Sequence, residues 1–421
     1  MQSIKQFTKF FNAVCRAFGY SKSNVAETLS AKDKKMSNKE LDKQYVANTY
    51  ARFDIEIVDG NGSKVIDSNG KEYIDLATGI AVNTFGIADK KWIEAVTAQL
   101  GKFQHVSNLY YSEPCTLLAK LLCEKTGAKK VFFGNSGAEA NECAIKVARK
   151  WAQDTKGEGD YTVITLKNSF HGRTITTLKA TGQDVFHKDF GPFPDGFAYA
   201  IANDTESVKE IVKNTKCCAI MMEMVQGEGG VLPLDKEFVL DCVEIAKEND
   251  LLIIADEVQT GNGRTGTLYA YEQFGFTPDI LSTAKGLGGG LPIGATLMFD
   301  KVENTLNAGS HGSTFGGNPI ACAGALNIIS RLDKETLDGV KERSDYIFKA
   351  LSGAQGIKSV SGLGLMIGVE TEKDSTEVLK ACFEKGILPI KAKTKIRLLP
   401  ALNIPMDELK KAIEILKECA K

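Results

Sequence analysis

Short apolar runs alternate with stretches of helical spacing through the middle of the chain. Between about residues 128 and 300 the runs are K-V-F-F (130–133), T-V-I-T-L (162–166), F-A-Y-A (197–200), A-I-M-M-E-M (219–224), L-L-I-I-A-D (251–256), I-L-S-T (280–283) and A-T-L-M-F (295–299). Runs of this length bounded by turn residues predict strands, and amphipathic helices separate most of them. Strands that are apolar on both faces predict a mostly parallel sheet with helices on both sides, an α/β class. Ligands in such sheets sit at the carboxyl ends of the strands.

The flanks have a different texture. Residues 40–60 read as a helix leading into an extended run, and S-N-G (68–70) predicts a hairpin between S-K-V-I-D and K-E-Y-I-D-L. Residues 89–100 and 112–126 have helical spacing; Gly101 stops the first, and Ser112, Pro114 and Gly127 bound the second. After Gly317 come a long helix pair (319–353), strands, a helix near 375–385, two short strands and an amphipathic helix at 406–420. This smaller α+β part is expected to pair with the N-terminal strands. The expected division is 1–35 as an extension, 36–85 and 318–421 as a small domain from both chain ends, and 86–317 as a large cofactor-binding domain.

Composition narrows the partners. The 421 residues are 43% hydrophobic and 25% charged with a formal net charge of −1. Nothing there attracts nucleic acid or an anionic membrane, and no apolar run is long enough to span a bilayer. Ten cysteines without C-x-x-C pairing indicate reduced thiols and a cytoplasmic protein, and the four histidines lack metal-ligand spacing. Residues 1–35 are basic, acid-poor before Glu27, and apolar at helical spacing. They read as an organelle-targeting segment, a dispensable helix, or a stretch upstream of a second start at Met36.

Candidate chemistry lies at the strand ends. After Phe133, G-N-S-G-A opens a helix, so free N–H groups near Gly137 and Ala138, with the Ser136 hydroxyl, form either an anion site or an ordinary turn. The turn matches neither G-x-G-x-x-G nor a P-loop. Asp256 ends an apolar run as a ligand-facing carboxylate, a metal ligand with Glu257, or a strand-end cap. Lys285 follows an apolar strand and precedes G-L-G-G-G, which allows close approach of a bulky ligand. Burial there lowers a lysine's pKa and makes its amine a nucleophile for aldehydes and a proton shuttle. In N-S-F-H-G-R-T, spacing alone reads Phe170 as core and Arg173 as a solvated charge.

Six motifs in order settle more than any one does: S-G-A-E-A-N-E (136–142), F-H-G-R-T (170–174), Q-G-E-G-G (226–230), A-D-E-V-Q-T-G (255–261), A-K-G-L-G-G-G (284–290) and G-S-T-F-G-G-N-P (312–319). Over about residues 40–420 the chain resembles the class III, fold-type I pyridoxal-phosphate aminotransferases, most closely the acetylornithine aminotransferase branch. The resemblance implies pyridoxal 5'-phosphate (PLP) held covalently by Lys285, with Asp256 on the ring nitrogen, Gln259 on the ring hydroxyl and Phe170 stacked on the ring. Ser136, Gly137 and Ala138 would bind the phosphate, with Thr314 reaching it across a homodimer interface, and Glu257 and Val258 would line the site. Ser313, beside Thr314, would lie near the substrate, and Arg173 would bind the α-carboxylate of acetylornithine. Arg397 would bind the glutamate α-carboxylate, masked by Glu228 when glutamate is absent.

The implied reaction moves the terminal amine of N2-acetyl-L-ornithine to 2-oxoglutarate, a step of arginine biosynthesis. Ornithine, succinylornithine, succinyldiaminopimelate and 4-aminobutyrate are alternative donors. A catalytically silent PLP-binding scaffold and a nucleotide-binding α/β protein are the alternatives from other classes. Leu398–Leu399 and Ile87 depart from the family pattern, and the Ile87 change is expected to alter packing only.

Overall fold

The computed structural model describes residues 36–421, so the readings of residues 1–35 lie outside the described residues. The chain divides into a unit that ends at Glu56 and a unit spanning Ile57–Lys421. In the first, helix α1 (Asn38–Tyr45) starts from a reciprocal cap: the Glu40 N–H donates to Ser37 Oγ, and the Ser37 N–H donates to Glu40 Oε2 at 2.7 Å.

The second unit is built on a seven-stranded sheet. Its strands β4 (Lys130–Gly134), β5 (Thr162–Leu166), β6 (Phe197–Ala200), β7 (Cys217–Met222), β10 (Leu252–Asp256), β11 (Ile280–Thr283) and β12 (Gly294–Met298) lie in the order β4-β12-β11-β10-β7-β5-β6. All seven predicted runs are strands of this sheet. Within this sheet β12 alone runs against the direction of the other six strands. The link from Thr283 to Gly294 is too short for the helical crossover that a parallel return needs.

Alternation along each strand fills two cores. Ile164, Ile220, Met222 and Ile253 enter one cluster, with Phe238, Val239 and Cys242 of helix α6 (Lys236–Glu248). Val163, Ala219, Met221, Leu252 and Ile254 enter another, with Ala144, Val147 and Trp151 of helix α4 (Gly137–Lys156). Both faces are therefore buried, and the strand ends are the open edge at which polar side chains can gather.

The chain ends meet as expected. The hairpin β2 (Lys64–Asp67) and β3 (Glu72–Asp75), with β1 (Ile57–Asn61), is extended by the late strand β15 (Ile387–Leu388), which pairs in parallel with β3. Strands β13 (Ile357–Leu363), β14 (Met366–Thr371), β16 (Ile390–Ala392) and β17 (Lys395–Leu398) form a separate antiparallel sheet. Leu398 and Leu399 are fully buried there. Ile87 pairs its N–H and C=O with Gly62 at 2.7 and 2.8 Å. A two-stranded hairpin, β8 (Val225–Gln226) with β9 (Leu232–Pro233), presents the Q-G-E-G-G turn and was not predicted.

Candidate active site

The carboxyl ends of β4, β5, β7, β10 and β11 point to one edge of the sheet, and the chemistry collects there. Asp256, the last residue of β10, is 3% exposed. Its Oδ2 accepts from Asn141 Nδ2 at 2.8 Å and lies 2.7 Å from His171 Nδ1, and its Oδ1 accepts the Val258 N–H at 3.1 Å. Burial alone would lower the His171 pKa, but the hydrogen bond and charge of Asp256, with the charge of Glu223, hold it raised. Asn141 Oδ1 and His171 Nε2 are buried without a partner among the described residues.

Sequence reading missed both residues that steady Asp256. A signal existed for Asn141, which is a polar residue on the apolar stripe that contains Ala140 and Ala144. Its partner is 115 positions away, so only the fold reveals the contact.

Lys285 follows β11 with a positive φ of 46°. Its amine makes no hydrogen bond or ion pair with the described residues. Burial lowers its pKa most and Arg397 adds to this, while Glu228, Asp256 and Glu223 oppose it. A lysine biased toward the neutral amine and left unpartnered suits nucleophilic and proton-shuttling work.

The phosphate turn joins β4 to α4. Ser136 caps the helix, accepting the Glu139 N–H at 3.2 Å and donating to Glu139 Oε2 at 3.1 Å. The Gly137 and Ala138 N–H groups find no acceptor among the described residues. A Cβ on Gly137 would lie 2.6 Å from Val258 Cγ1, so glycine lets the turn close on the end of β10. Asn135 Nδ2 donates to Ser313 Oγ at 3.0 Å, which ties this turn to the G-S-T-F-G-G loop, where Thr314 is exposed.

The two predicted arginines differ sharply. Arg397, on β17 and 2% exposed, donates to Glu228 Oε1 at 2.6 Å and to Gln259 Oε1 at 3.1 Å. Burial alone would raise the Glu228 pKa, but the charge and hydrogen bond of Arg397 hold it lowered. Arg173 is exposed, with its guanidinium 4.2 Å from the Phe186 ring centre and 5.5 Å from that of Phe170. Gly227 gives the Q-G-E-G-G turn room: a Cβ there would meet the Gln259 amide at 2.7 Å.

Two more carboxylates lie under the site. Glu257 accepts from the Thr260 hydroxyl and from the Tyr271 N–H at 2.8 Å, and its pKa is pushed up to about 7, chiefly by burial. These partners differ from those of Asp256, and among the described residues no group of three or more His, Cys, Asp and Glu could hold a metal. Glu223, which sequence reading placed inside a strand, lies just past the end of β7. It accepts the Phe170 N–H at 2.8 Å, and burial pushes its pKa up to about 7.

The donor set fits the expected cofactor. A fixed buried carboxylate suits a pyridinium nitrogen, open N–H groups at a helix start suit a phosphate, and an unpartnered amine suits an aldehyde carbon.

Comparison with known proteins agrees. Residues 45–420 match the family model of the class-III aminotransferases. The acetylornithine aminotransferase of Haemophilus ducreyi is 50% identical over 382 residues, covering 90% of this chain and 97% of that protein. The succinylornithine transaminase of Citrobacter koseri is 43% identical over 380 residues, covering 87% and 92%. A solved ornithine aminotransferase from Toxoplasma gondii, with partial occupancy of PLP at its active site, superposes with a TM-score of 0.86 at 32% identity, covering 90% of this chain and 92% of that one.

Proposed function

The chain belongs to the class-III aminotransferases, and from that premise we propose that it is an acetylornithine aminotransferase, moving the terminal amine of N2-acetyl-L-ornithine to 2-oxoglutarate. The products are N-acetyl-L-glutamate 5-semialdehyde and L-glutamate. PLP, when bound, supplies the aldehyde that takes up the amine and the ring that spreads the electron pair left on the substrate carbon.

The chain's own residues do the rest. Lys285 carries the cofactor and moves the proton on and off the substrate carbon. Asp256, held by Asn141 and His171, keeps a proton on the ring nitrogen. Gly137 and Ala138 bind the phosphate through their open N–H groups, and Ser136 joins them through its hydroxyl once that turns away from Glu139. Phe170 stacks on the ring, Gln259 donates to the ring hydroxyl, and Glu257 and Val258 support the strand end beneath. Arg173 binds the carboxylate of acetylornithine, and Ser313, beside Thr314, lies near the substrate.

Two substrates require two states of one site. Glutamate brings a carboxylate next to its reacting carbon, whereas acetylornithine brings none. Arg397 serves the first, and Glu228 neutralises it for the second. The Glu228–Arg397 pair at 2.6 Å is the observation that carries this reading. Charge-assisted bonds of this kind are worth about 1.5–3 kcal/mol. In Arg397→Ala, kcat/KM for glutamate is expected to fall by roughly tenfold to a hundredfold, while acetylornithine stays within a few-fold. Equal losses for the two substrates would refute the assignment.

The working form in this reading is a homodimer, with Thr314 reaching the partner's phosphate. Leu109, Tyr110, Tyr111 and Phe315 support it as large apolar side chains that are 60% to 100% exposed in one chain. The nine free cysteines among the described residues support a reducing compartment such as the cytoplasm. No helix of the described residues is long and apolar enough to cross a membrane.

A further inference from the structure

Glu223 has no part in the chemistry described so far, yet it is 5% exposed directly beneath the site. It sits at the end of β7, which lies between β5 and β10 in the sheet. Its two oxygens engage two different loops. Oε1 accepts the Phe170 N–H at 2.8 Å, and Oε2 faces the Gly227 N–H at 3.4 Å. Phe170 opens the F-H-G-R loop that carries Arg173. Gly227 directly precedes Glu228, the residue that covers Arg397. Glu223 makes no hydrogen bond to any other side chain among the described residues, so its geometry is spent on these two backbones. The charges around it are those of His171, Asp256 and Lys285.

We propose that Glu223 is a positioning residue for substrate choice: by binding both loops it fixes the Glu228 turn where its carboxylate reaches Arg397. This rests on the reading of Glu228 as the cover of Arg397. With the Gly227 anchor gone, Glu228 is held less firmly on the arginine. The half-reaction with acetylornithine, which needs the arginine covered, then loses. The half-reaction with glutamate, which needs it open, is spared. Loss of the Phe170 anchor acts through the loop that carries Arg173, a route that shifts the ratio even without Glu228, so the Glu228→Ala background separates it from the route proposed here.

The test uses the PLP-loaded full chain and measures kcat/KM for acetylornithine and for glutamate in separate half-reactions. The variants are Glu223→Gln, which removes the charge, and Glu223→Asp, which keeps the charge but shortens the reach by one methylene. Glu228→Ala and the Glu223→Asp/Glu228→Ala double variant complete a cycle. The expected result is a fall of roughly tenfold in the acetylornithine-to-glutamate ratio in either Glu223 variant, the size of one lost hydrogen bond to a charge. In the Glu228→Ala background, Glu223→Asp should leave the ratio unchanged.

Should Glu223→Gln fail to fold, Glu223→Asp decides alone. An unchanged ratio in the Glu223 variants, with a shifted ratio in Glu228→Ala, overturns the role of Glu223 only. An unchanged ratio in Glu228→Ala overturns the cover itself, and the role of Glu223 falls with it. Additive effects in the double variant overturn the proposed route through Glu228.

Discussion

Lys285 and Glu257 show how burial sorts residues of one site into different work. Burial lowers the Lys285 pKa, which favours the free amine. Lys285→Ala is expected to abolish the visible absorption of covalently held PLP and to cut turnover by at least about a thousandfold, the scale of lost proton transfer; a variant that keeps both would contradict the assignment. Burial raises Glu257 to about 7 from an ordinary 4.5. The folded protein thus keeps this proton to higher pH than the unfolded chain does. Stability is lost as pH rises from about 4.5 to about 7, and the whole cost is present above that window. Glu257→Gln removes the ionisation, so its stability relative to wild type should rise across the window by up to roughly 3 kcal/mol. Urea unfolding at pH 5 and pH 8 measures this, and an unchanged difference between the two would count against it.

At the scale of elements, the site depends on strand ends brought into register by close backbone approach. Gly137→Ala puts a Cβ 2.6 Å from Val258 Cγ1, so the phosphate turn and the end of β10 must part. The expected cost is about 1–3 kcal/mol of stability, together with a smaller rise in melting temperature on adding PLP. Calorimetry with and without the cofactor reads both effects, and wild-type behaviour would contradict the tight packing. The positions of all seven central strands were legible because their apolar runs are short and bounded by turn residues. The direction of β12 was not, since it follows from a short link that no periodicity encodes. Asp256 and Lys285 were visible at the ends of their runs. His171 and Asn141 were not, because each acquires its role from a carboxylate 85 or 115 positions away. In M-M-E-M, likewise, nothing marks Glu223 as the residue that leaves the strand.

At the scale of the molecule, early and late strands share a sheet through β3 and β15, so the small α+β part draws on segments far apart in sequence. In β17, Leu398 joins this core while Arg397 faces Glu228. Tyr111 and Phe315 are large apolar side chains left exposed in one chain, and they test the proposed homodimer. Tyr111→Asp with Phe315→Asp should give a monomer by light scattering and a loss of activity; an active monomer would remove the shared site. The central claim is the choice of amine donor, since the succinylornithine transaminase of Citrobacter koseri is also similar, at 43% identity. The most direct measurement is kcat/KM of the PLP-loaded protein for acetylornithine, succinylornithine, ornithine, succinyldiaminopimelate and 4-aminobutyrate, each with 2-oxoglutarate as acceptor. Acetylornithine is expected to exceed every other donor, with glutamate formed in equal amount; a higher value for any other donor would contradict the assignment.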